Sequence, residues 1–321
     1  MAYRLHANGK SSVLSGRKNV ISLQNDLADK AQTAVVTDLN ADSADVNETV
    51  TYTKVGSLVP SSSDGNFPRV PRVVYPNDPR DATKVTPAGV PTVPGYTAHD
   101  PEGHVLTPGS RYQPSDPTKD TTITYTADQQ KGSVSYVDDT TGKTLKTDSI
   151  SGTTGSKSSY STSGSIADYK KHGYELVTDG YPADLTFDND DKTAQNFTVH
   201  LKHQLTPVNP TDPQTPGAPI HPDEPDGPKW PTRTNYDKTV KETVSYVDQT
   251  GHVVAKPHTD SVNFTRTVVV DNVTGEVITS GAGTTAWTAT NGDTTFDAVG
   301  IFKKQLDPTV GTGGRKGTWH P

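Results

Sequence analysis

The 321-residue chain contains no cysteine, which excludes several kinds of chemistry at once. Without thiols there can be no thiol catalysis, no cysteine-ligated zinc, no disulfide and no cysteine-derived thioester cross-link. The chain is also poor in apolar residues, since only 30% are hydrophobic, whereas it holds 27 glycines and 25 prolines. Such a composition does not supply one large core. We therefore expect small modules joined by open segments.

Further classes of protein are excluded by other features that are missing. The 30 basic and 37 acidic residues give a net charge of -7, and no basic block is interleaved with aromatics, so nucleic acid is not an expected partner. No stretch approaches the roughly 20 apolar residues of a membrane span, and the first residues lack the apolar run of a secretion signal. The sequence has no G-x-S-x-G elbow, phosphate-binding glycine loop or H-E-x-x-H helix. We expect no enzymatic activity and no cofactor.

What the sequence does contain is a set of short segments in which apolar residues alternate with threonine or serine. They lie at 47–53, 121–126, 133–137 and 243–247. A period of two is typical of a half-buried β-strand, and hydroxyl residues suit its exposed face. The chain is therefore predicted to be mainly β.

One of these segments occurs twice with its following turn. Val134-Ser-Tyr-Val-Asp138 precedes Thr141-Gly142, and Val244-Ser-Tyr-Val-Asp248 precedes Thr250-Gly251. The second copy thus repeats the order of the first farther along the chain. An internal repeat of this kind predicts a series of related modules.

Residues 131–204 give the clearest pattern of a single module. Two strands are followed by a short helix, in which Ser165 to Asp168 reads as a capping box and Ile166 and Tyr169 share one face. Gly173 supplies the stop. Two further strands then predict the order β-β-α-β-β, a small α+β domain.

Proline occupies every third position from Pro207 to Pro231. Polyproline II has three residues per turn, so all these prolines would share one edge of a semi-rigid rod about 75–80 Å long. We predict an extended linker over 205–236.

Several motifs in this order resemble the mucin-binding (MucBP) domain of repeated surface proteins from lactic acid bacteria. They are the start at 134–142, the centre at 166–176 and the turn at 187–191 that precedes the strand at 197–203. The segments at 91–97 and 264–267 resemble parts of neighbouring Mub-type repeats. The resemblance implies a small ubiquitin-like β-grasp module, export, cell-wall association and adhesion to mucin glycans, with immunoglobulin binding for some members.

The resemblance also suggests how the chain is divided. We expect an unassigned leader at 1–46, the C-terminal part of a preceding Mub-type repeat at 47–130, a MucBP-like β-grasp domain at 131–204, the proline-rich linker at 205–236, the start of a further Mub-type repeat at 237–300, and an unassigned tail at 301–321. The signal peptide and wall anchor of the parent protein are expected outside this chain.

The candidate ligand-binding residues are tyrosines near the predicted helix. Tyr181, Tyr174 and Tyr160, together with Tyr169, could stack on a sugar ring while their hydroxyls form hydrogen bonds, although core packing is the alternative for each. Tyr181, which precedes a proline, is the first choice for an exposed ring.

Two candidate metal sites are weighed against simpler readings. Asp188, Asp190 and Asp191 offer oxygen ligands for calcium but lack the glycine and distal glutamate of an EF-hand loop, so a plain turn is the alternative. His200 and His203 are three positions apart on a strand, which places them on opposite faces and argues against a shared metal.

Two further chemistries have little support in the sequence. Glycoside hydrolysis needs two carboxylates in a partly desolvated cleft, which a module of about 70 residues rarely offers. The available carboxylates are Asp138, Asp139, Asp148, Asp179 and Asp184. A Lys–Asn isopeptide bond would have to use Lys143 or Lys146 with Asn189 or Asn196.

The sequence therefore favours a fragment of a mucus adhesin that binds weakly through repeated modules. One alternative is a passive stalk that projects a distal binding domain, and a remote one is a glycan hydrolase. The expected partners are host mucin glycans, with immunoglobulins as a further possibility.

Overall fold

The computed structural model describes residues 2–7, 10–14, 51–78, 80 and 84–299. The described part of the chain is mainly β with one short α-helix, as the sequence predicts. It forms two compact units, each assembled from separate segments. Unit 1 falls within Met1–Tyr136, Thr144–Ser161 and Gly180–Val199, and unit 2 within Val137–Lys143, Thr162–Asp179 and His200–Pro321.

The N-terminal half of unit 1 contains ten strands in three sheets. The first sheet has the order β2-β1-β3 and consists of β1 (Ala2–Ala7), β2 (Lys10–Leu14) and β3 (Thr51–Val55). The second consists of β4 (Ser57–Ser61), β5 (Val73–Val74), β7 (Tyr96–His99), β8 (Val105–Leu106) and β10 (Thr121–Ala127), in the order β5-β4-β10-β7-β8. A two-stranded ribbon pairs β6 (Ala88–Gly89) with β9 (Arg111–Tyr112).

The core of this half is built on strand β10. Ile123 is 0% exposed and Tyr125 is 1% exposed, whereas Thr122, Thr124 and Thr126 face solvent. The period of two therefore places the apolar residues inward as predicted. Around them pack Leu58, Val93 and Ala98, with Phe67 at the edge of the cluster.

A further sheet contains β11 (Gln129–Asp138), β12 (Lys143–Thr153), β13 (Tyr174–Asp179) and β14 (Gln195–His203), in the order β12-β11-β14-β13. Helix α1 (Ser163–Lys171) lies between β12 and β13 in the chain. The predicted element order β-β-α-β-β is therefore confirmed. The finer β-grasp assignment stays a prediction.

Helix α1 begins earlier than the sequence suggests. Its N-cap is Thr162, not Ser165, and the Thr162 hydroxyl donates to Asp179 at 2.6 Å instead of capping the helix. The predicted capping box at Ser165–Asp168 is therefore wrong, because these residues lie inside the helix. The predicted stop is confirmed, since Gly173 follows the C-cap His172 with φ +93°, a conformation that glycine adopts without strain.

No helix in the described residues is long and apolar enough to cross a membrane.

The C-terminal part of unit 2 contains two three-stranded sheets. The first, in the order β15-β18-β19, consists of β15 (Leu205–Val208), β18 (Val268–Asp271) and β19 (Val277–Ile278). The second, in the order β16-β17-β20, consists of β16 (Asp237–Val247), β17 (Val253–Thr265) and β20 (Thr288–Ala289). A single 3₁₀ turn spans Arg233–Asn235. Strands β17 and β18 follow each other closely in the chain but belong to different sheets.

The proline-rich segment is folded, so the prediction of an extended rod is wrong. Residues 205–208 form β15, which pairs with β18. Farther along, the Gly217 amide donates to the Trp230 carbonyl at 3.1 Å, and the Trp230 amide donates to Ala218 at 2.9 Å. An antiparallel bridge between Pro219 and Lys229 completes a short hairpin.

The reason lies in the residues between the prolines. Val208, Ile220 and Trp230 pack in a cluster that includes Val268 and Tyr236. A polyproline II rod would leave these side chains in water, and burying a large apolar side chain contributes about 1.5–3 kcal/mol. Proline spacing alone therefore does not decide the conformation of this segment.

A distance measurement distinguishes the hairpin from the rod. The chain has no cysteine, so spin labels can be placed cleanly at Thr215→Cys and Thr232→Cys, on either side of the hairpin. A rod would separate these positions by about 50 Å. We expect a separation under roughly 20 Å, because paired strands lie about 5 Å apart. Single-cysteine variants serve as controls, and a distance near that of the rod would contradict the fold.

Candidate functional site

The candidate tyrosines Tyr160 and Tyr181 form an edge-to-face pair in unit 1, with ring centroids 5.3 Å apart. Tyr181 is only 8% exposed, and its hydroxyl donates to Ser158 at 2.7 Å. The expectation that Tyr181 is exposed is therefore wrong. The ring packs inward against Phe197 as well, and Ser158 gives its hydroxyl a partner within the fold.

Tyr160 is half-buried and fully engaged in hydrogen bonds. Its hydroxyl donates to Asp148 at 2.7 Å and accepts from Tyr136 at 2.6 Å. Burial raises the pKa of Tyr160, and the hydrogen bonds with Tyr136 and Asp148 raise it further. The Tyr160 hydroxyl therefore uses its hydrogen bonds within the fold.

Tyr174 and Tyr169 form a second edge-to-face pair, which lies in unit 2, with centroids 5.5 Å apart. The Tyr174 ring also meets the His203 ring at 5.3 Å. The tyrosines thus mainly pack, and a ligand-binding role for Tyr181, Tyr174 or Tyr160 stays a prediction without geometric support.

The three aspartates considered as calcium ligands accept hydrogen bonds from different groups of the protein. The Asp188 carboxylate accepts from the Asp190 amide at 3.1 Å, and Asp190 accepts from the Lys192 amide at 2.9 Å. Asp191 accepts from the Gln130 side chain at 2.6 Å. Across the described ranges, three ligand atoms within 4.8 Å of one another are found at Asp100, Glu102 and His104 instead. The geometry at 188–191 favours the plain turn.

Most of the groups considered for hydrolysis or cross-linking also have partners of their own. Lys146 pairs with Asp148 at 3.3 Å, and Asn196 accepts from Ser133 at 2.8 Å. Asp184 pairs with Lys157 at 3.5 Å on the surface. Asp179 accepts from Thr162, and Asp139 pairs with His200.

The most strongly bound of the predicted candidates is His203, which lies between two carboxylates in unit 2. Its Nε2 is 2.7 Å from Asp138 and its Nδ1 is 2.6 Å from Asp271. The side chains of His203, Asp138 and Asp271 are buried, at 4%, 2% and 10% exposure. We call this cluster the His203 clamp. His200 lies on the opposite face with its side chain 42% exposed, as the strand period predicts.

Both ring nitrogens of His203 face a carboxylate oxygen, which favours the doubly protonated ring. Burial acts to lower the pKa of His203, but the bonds to Asp271 and Asp138 outweigh it, and the pKa is raised. Burial acts to raise the pKa of Asp138, but bonds from Thr141, His203 and Thr140 outweigh it, and the pKa is lowered. The clamp is an imidazolium between anions.

The two carboxylates come from turns with the same sequence pattern. Asp138-Asp-Thr-Thr-Gly142 and Asp271-Asn-Val-Thr-Gly275 each begin with aspartate and end with Thr-Gly. In both, one aspartate oxygen accepts backbone amides two or three positions on, and the glycine amide donates to the aspartate carbonyl. The second oxygen of each aspartate is left for His203. The first turn belongs to the internal repeat that is visible in the sequence. The second turn lies outside that repeat, and the sequence did not indicate that it contacts His203.

A separate feature of unit 1 is a pocket of about 220 Å³. Its walls are the stretches 90–93, 96–98 and 105–108, with Tyr125, Asp128 and Asp191. The wall at 90–98 turns at Gly95, whose φ is +76° and where a Cβ would lie 2.6 Å from the Thr154 hydroxyl. Only glycine lets the chain approach this closely.

Two carboxyls, those of Asp128 and Asp191, are part of the pocket lining. Thr97 donates to Asp128, and Gln130 donates to Asp191. Burial raises the pKa of Asp128; the Thr97 bond opposes this, and the adjacent Asp191 carboxyl raises the pKa further. Among the described residues, no lysine or arginine forms an ion pair with either group.

The pocket lining also includes apolar residues. Val93 is buried, Leu106 is half-buried, and Val105 is 62% exposed. The Tyr96 hydroxyl is turned away to Asp64, to which it donates at 2.8 Å. Sequence reasoning missed this site, although the Pro-Gly-Tyr motif at 94–96 marks one of its walls.

Comparison with known proteins gives matches in two parts of the chain. A mucin binding domain model matches residues 130–203, and a Muc B2-like domain model matches residues 231–303. The solved structure of Mub-RV is 34% identical to the chain, covering 50% of this chain and 73% of its own, with a TM-score of 0.37. The type 2 repeat of the mucus binding protein MUB from Lactobacillus reuteri is 35% identical, covering 49% and 74%, with a TM-score of 0.36. No curated protein matches.

The clamp predicts a large difference between two histidines on the same strand. We expect His203→Gln to lower the free energy of unfolding by about 3–5 kcal/mol at about pH 6, because it leaves two buried carboxylates facing each other. The matched variant His200→Gln removes only an exposed pair, worth about 0–1 kcal/mol. Urea unfolding measures both, and equal losses would contradict the clamp.

The clamp also predicts how stability depends on pH. The His203 contribution is complete below about pH 6.5 and is lost as the pH rises through its raised pKa, whereas the Asp138 contribution is lost as the pH falls through its lowered pKa. We expect greatest stabilisation between about pH 4 and about pH 6.5, with a decline towards about pH 9. In His203→Gln the decline should be much shallower; an unchanged slope would show that another group titrates.

Proposed function

This chain belongs to the family of Mub-type mucin-binding repeats, and from that premise we propose that it is part of a non-catalytic surface adhesin that binds mucin glycoproteins. The observation that carries the proposal is the match of the mucin binding domain model to residues 130–203. The Muc B2-like match at 231–303 follows it in the chain, so two modules of this kind stand in series.

We propose that each module binds weakly and that affinity comes from many copies. The matched segments, 130–203 and 231–303, are each the size of a very small domain, which offers little surface for a tight site. Linking weak sites raises the effective concentration of the second binding event, which increases overall avidity by about 10²–10⁴. Mucin presents many similar glycans, so a repeated weak site gains most from this target.

The stalk alternative is less well supported than adhesion. An extended rod at 205–236 would suit a stalk as well as an adhesin, and that segment instead contains β15 and a hairpin. The family membership, in contrast, supports binding.

The hydrolase alternative is also weaker, although unit 1 has a pocket with two carboxyls. Glycosidases hold their two carboxyls about 5–5.5 Å or about 6.5–9.5 Å apart, so that a sugar and a nucleophile or water fit between them. Asp128 accepts a hydrogen bond from Thr97, and Asp191 accepts one from Gln130. Because both carboxyls are bound by side chains of the fold, we propose binding without hydrolysis.

We further propose that the chain works outside the cell, within a parent protein that is attached to the cell wall. Mucin glycoproteins are the partner. Immunoglobulin binding, which the resemblance implies for some family members, gains no support from the comparisons, and we do not include it.

Binding to mucin can be measured with copy number as the variable. We expect beads coated with many copies of the chain to be retained on immobilised mucin about 10²-fold or more better than the monomer. Removing the glycans from the mucin should abolish retention, and uncoated beads are the control. Failure of the coated beads to bind glycosylated mucin would favour a stalk and reject the adhesin.

A further inference from the structure

A single residue, Gln204, separates strand β14 from strand β15 in unit 2. We call residues 137–143, 162–179 and 200–203 the first block of this unit, and residues 205–299 the second block. The first block lies within the segment that the mucin binding domain model matches, and the second contains most of the Muc B2-like match. Gln204 is exposed and belongs to neither strand. A residue in this position can absorb a change in backbone angles, so Gln204 is a candidate hinge between the blocks.

Two backbone hydrogen bonds at the hinge do not depend on ionisation. The Gln204 amide donates to the Gly173 carbonyl at 2.8 Å, and the Asn272 amide donates to the Gln204 carbonyl at 2.9 Å. Both bonds are made by the hinge residue itself. Contacts of other residues are therefore needed to fix the angle between the blocks.

The His203 clamp is one such contact. His203 and Asp138 belong to the first block and Asp271 to the second, so the bond between Nδ1 and Asp271 at 2.6 Å crosses from one block to the other. The titratable groups that face the imidazole in the described structure are these two aspartates and Tyr174. A neutral imidazole has one N–H, so it can donate to only one of the two carboxylates and turns a lone pair towards the other.

A second histidine makes a similar connection. The Nδ1 of His172, the C-cap of α1, is 2.7 Å from the Asp168 carbonyl oxygen in the first block, and its Nε2 is 2.8 Å from the Asp223 carboxylate in the second. Both nitrogens again face acceptors, which favours the doubly protonated ring. The other titratable groups near this ring or its aspartate are Glu224, Lys171 and His221.

We propose that His172 and His203 lock the angle between the two blocks when both rings are protonated, and that the hinge at Gln204 opens when the rings lose their protons. The lock would set how rigidly two consecutive modules of the chain are joined. This inference goes beyond mucin binding and does not rest on it.

The direction of the pH effect follows from the surroundings of the two rings. Burial acts to lower the pKa of His203, but the bonds to Asp271 and Asp138 outweigh it, and the pKa is raised. The pKa of His172 is raised by its bonds to Asp168 and Asp223. The lock is therefore complete below about pH 6.5 and is lost as the pH rises through the raised pKa values.

The test is a distance measurement by electron paramagnetic resonance on the full chain, which has no cysteine of its own. Spin labels at Ala167→Cys in α1 and Thr279→Cys after β19 report on the two blocks, and both positions are exposed. We expect a narrow distance distribution at about pH 5.5 and a distribution about twofold broader at about pH 8.5. The pair Thr243→Cys and Thr279→Cys lies within the second block and should give the same width at both pH values.

Two variants assign the broadening to the clamp. His203→Gln should give the broad distribution already at about pH 5.5, because an amide side chain has one donor group for two carboxylates. Asp271→Asn should remove most of the broadening at about pH 8.5, because its amide can donate to the unprotonated Nδ1 while Nε2–H donates to Asp138. His200→Gln is the matched control, since it removes an exposed pair with Asp139 inside the first block, and it should behave as wild type does.

Several results would overturn the proposal. One is a wild-type distribution of equal width at both pH values. Another is equal broadening of the control pair, which would mean that the second block itself loosens. A third is full broadening in Asp271→Asn, which would mean that another group titrates.

The contribution of His172 is tested separately. His172→Gln should broaden the distribution at about pH 5.5 less than His203→Gln does, because the Asp223 side chain is 37% exposed and exposed pairs are weak. An unchanged distribution in this variant would remove His172 from the lock.

Discussion

The His203 side chain lies between Asp138 and Asp271, and burying three ionisable groups together is costly unless each charge is neutralised. With both nitrogens protonated, the imidazolium satisfies one oxygen of each carboxylate, and backbone amides of the two turns satisfy the other. The group still carries one net negative charge. The hydroxyl of Thr141, which donates to Asp138 at 2.8 Å, helps to offset it.

The surrounding backbone depends on this arrangement. The His203 amide donates to the Thr140 hydroxyl, the Gln204 amide donates to Gly173, and the Asn272 amide donates to Gln204. A Cβ at Gly173 would approach the Asn272 carbonyl oxygen to 2.5 Å. The end of helix α1, the end of β14 and the second Asp-x-x-Thr-Gly turn are thus held within hydrogen-bonding distance of one another.

What the sequence could predict was local. Alternation on β10 and β11 places Ile123, Tyr125, Val134 and Tyr136 inside, because a strand's period depends only on its own residues. The same rule predicts that His200 and His203 lie on opposite faces of strand β14. It cannot identify Asp271, which lies far along the chain at the end of β18, in a different sheet from the histidine. The prediction of an extended proline-rich segment is wrong for the same reason, since the fold of this segment depends on an apolar cluster that includes the distant residue Val268.

The pocket could not be predicted because its lining residues are also far apart in the chain. The sequence suggested Asp191 only as a calcium ligand, together with Asp188 and Asp190. Each unit brings two aspartates together, yet their surroundings differ. In unit 2 a buried histidine donates to both carboxylates, so those carboxylates contribute to stability. In unit 1 the donors are uncharged: Thr97 donates to Asp128, and Gln130 donates to Asp191. The pKa of the aspartate carboxyl therefore moves in opposite directions at the two places. It is raised at Asp128, where burial acts first, and lowered at Asp138, where the bonds from Thr141, His203 and Thr140 outweigh burial.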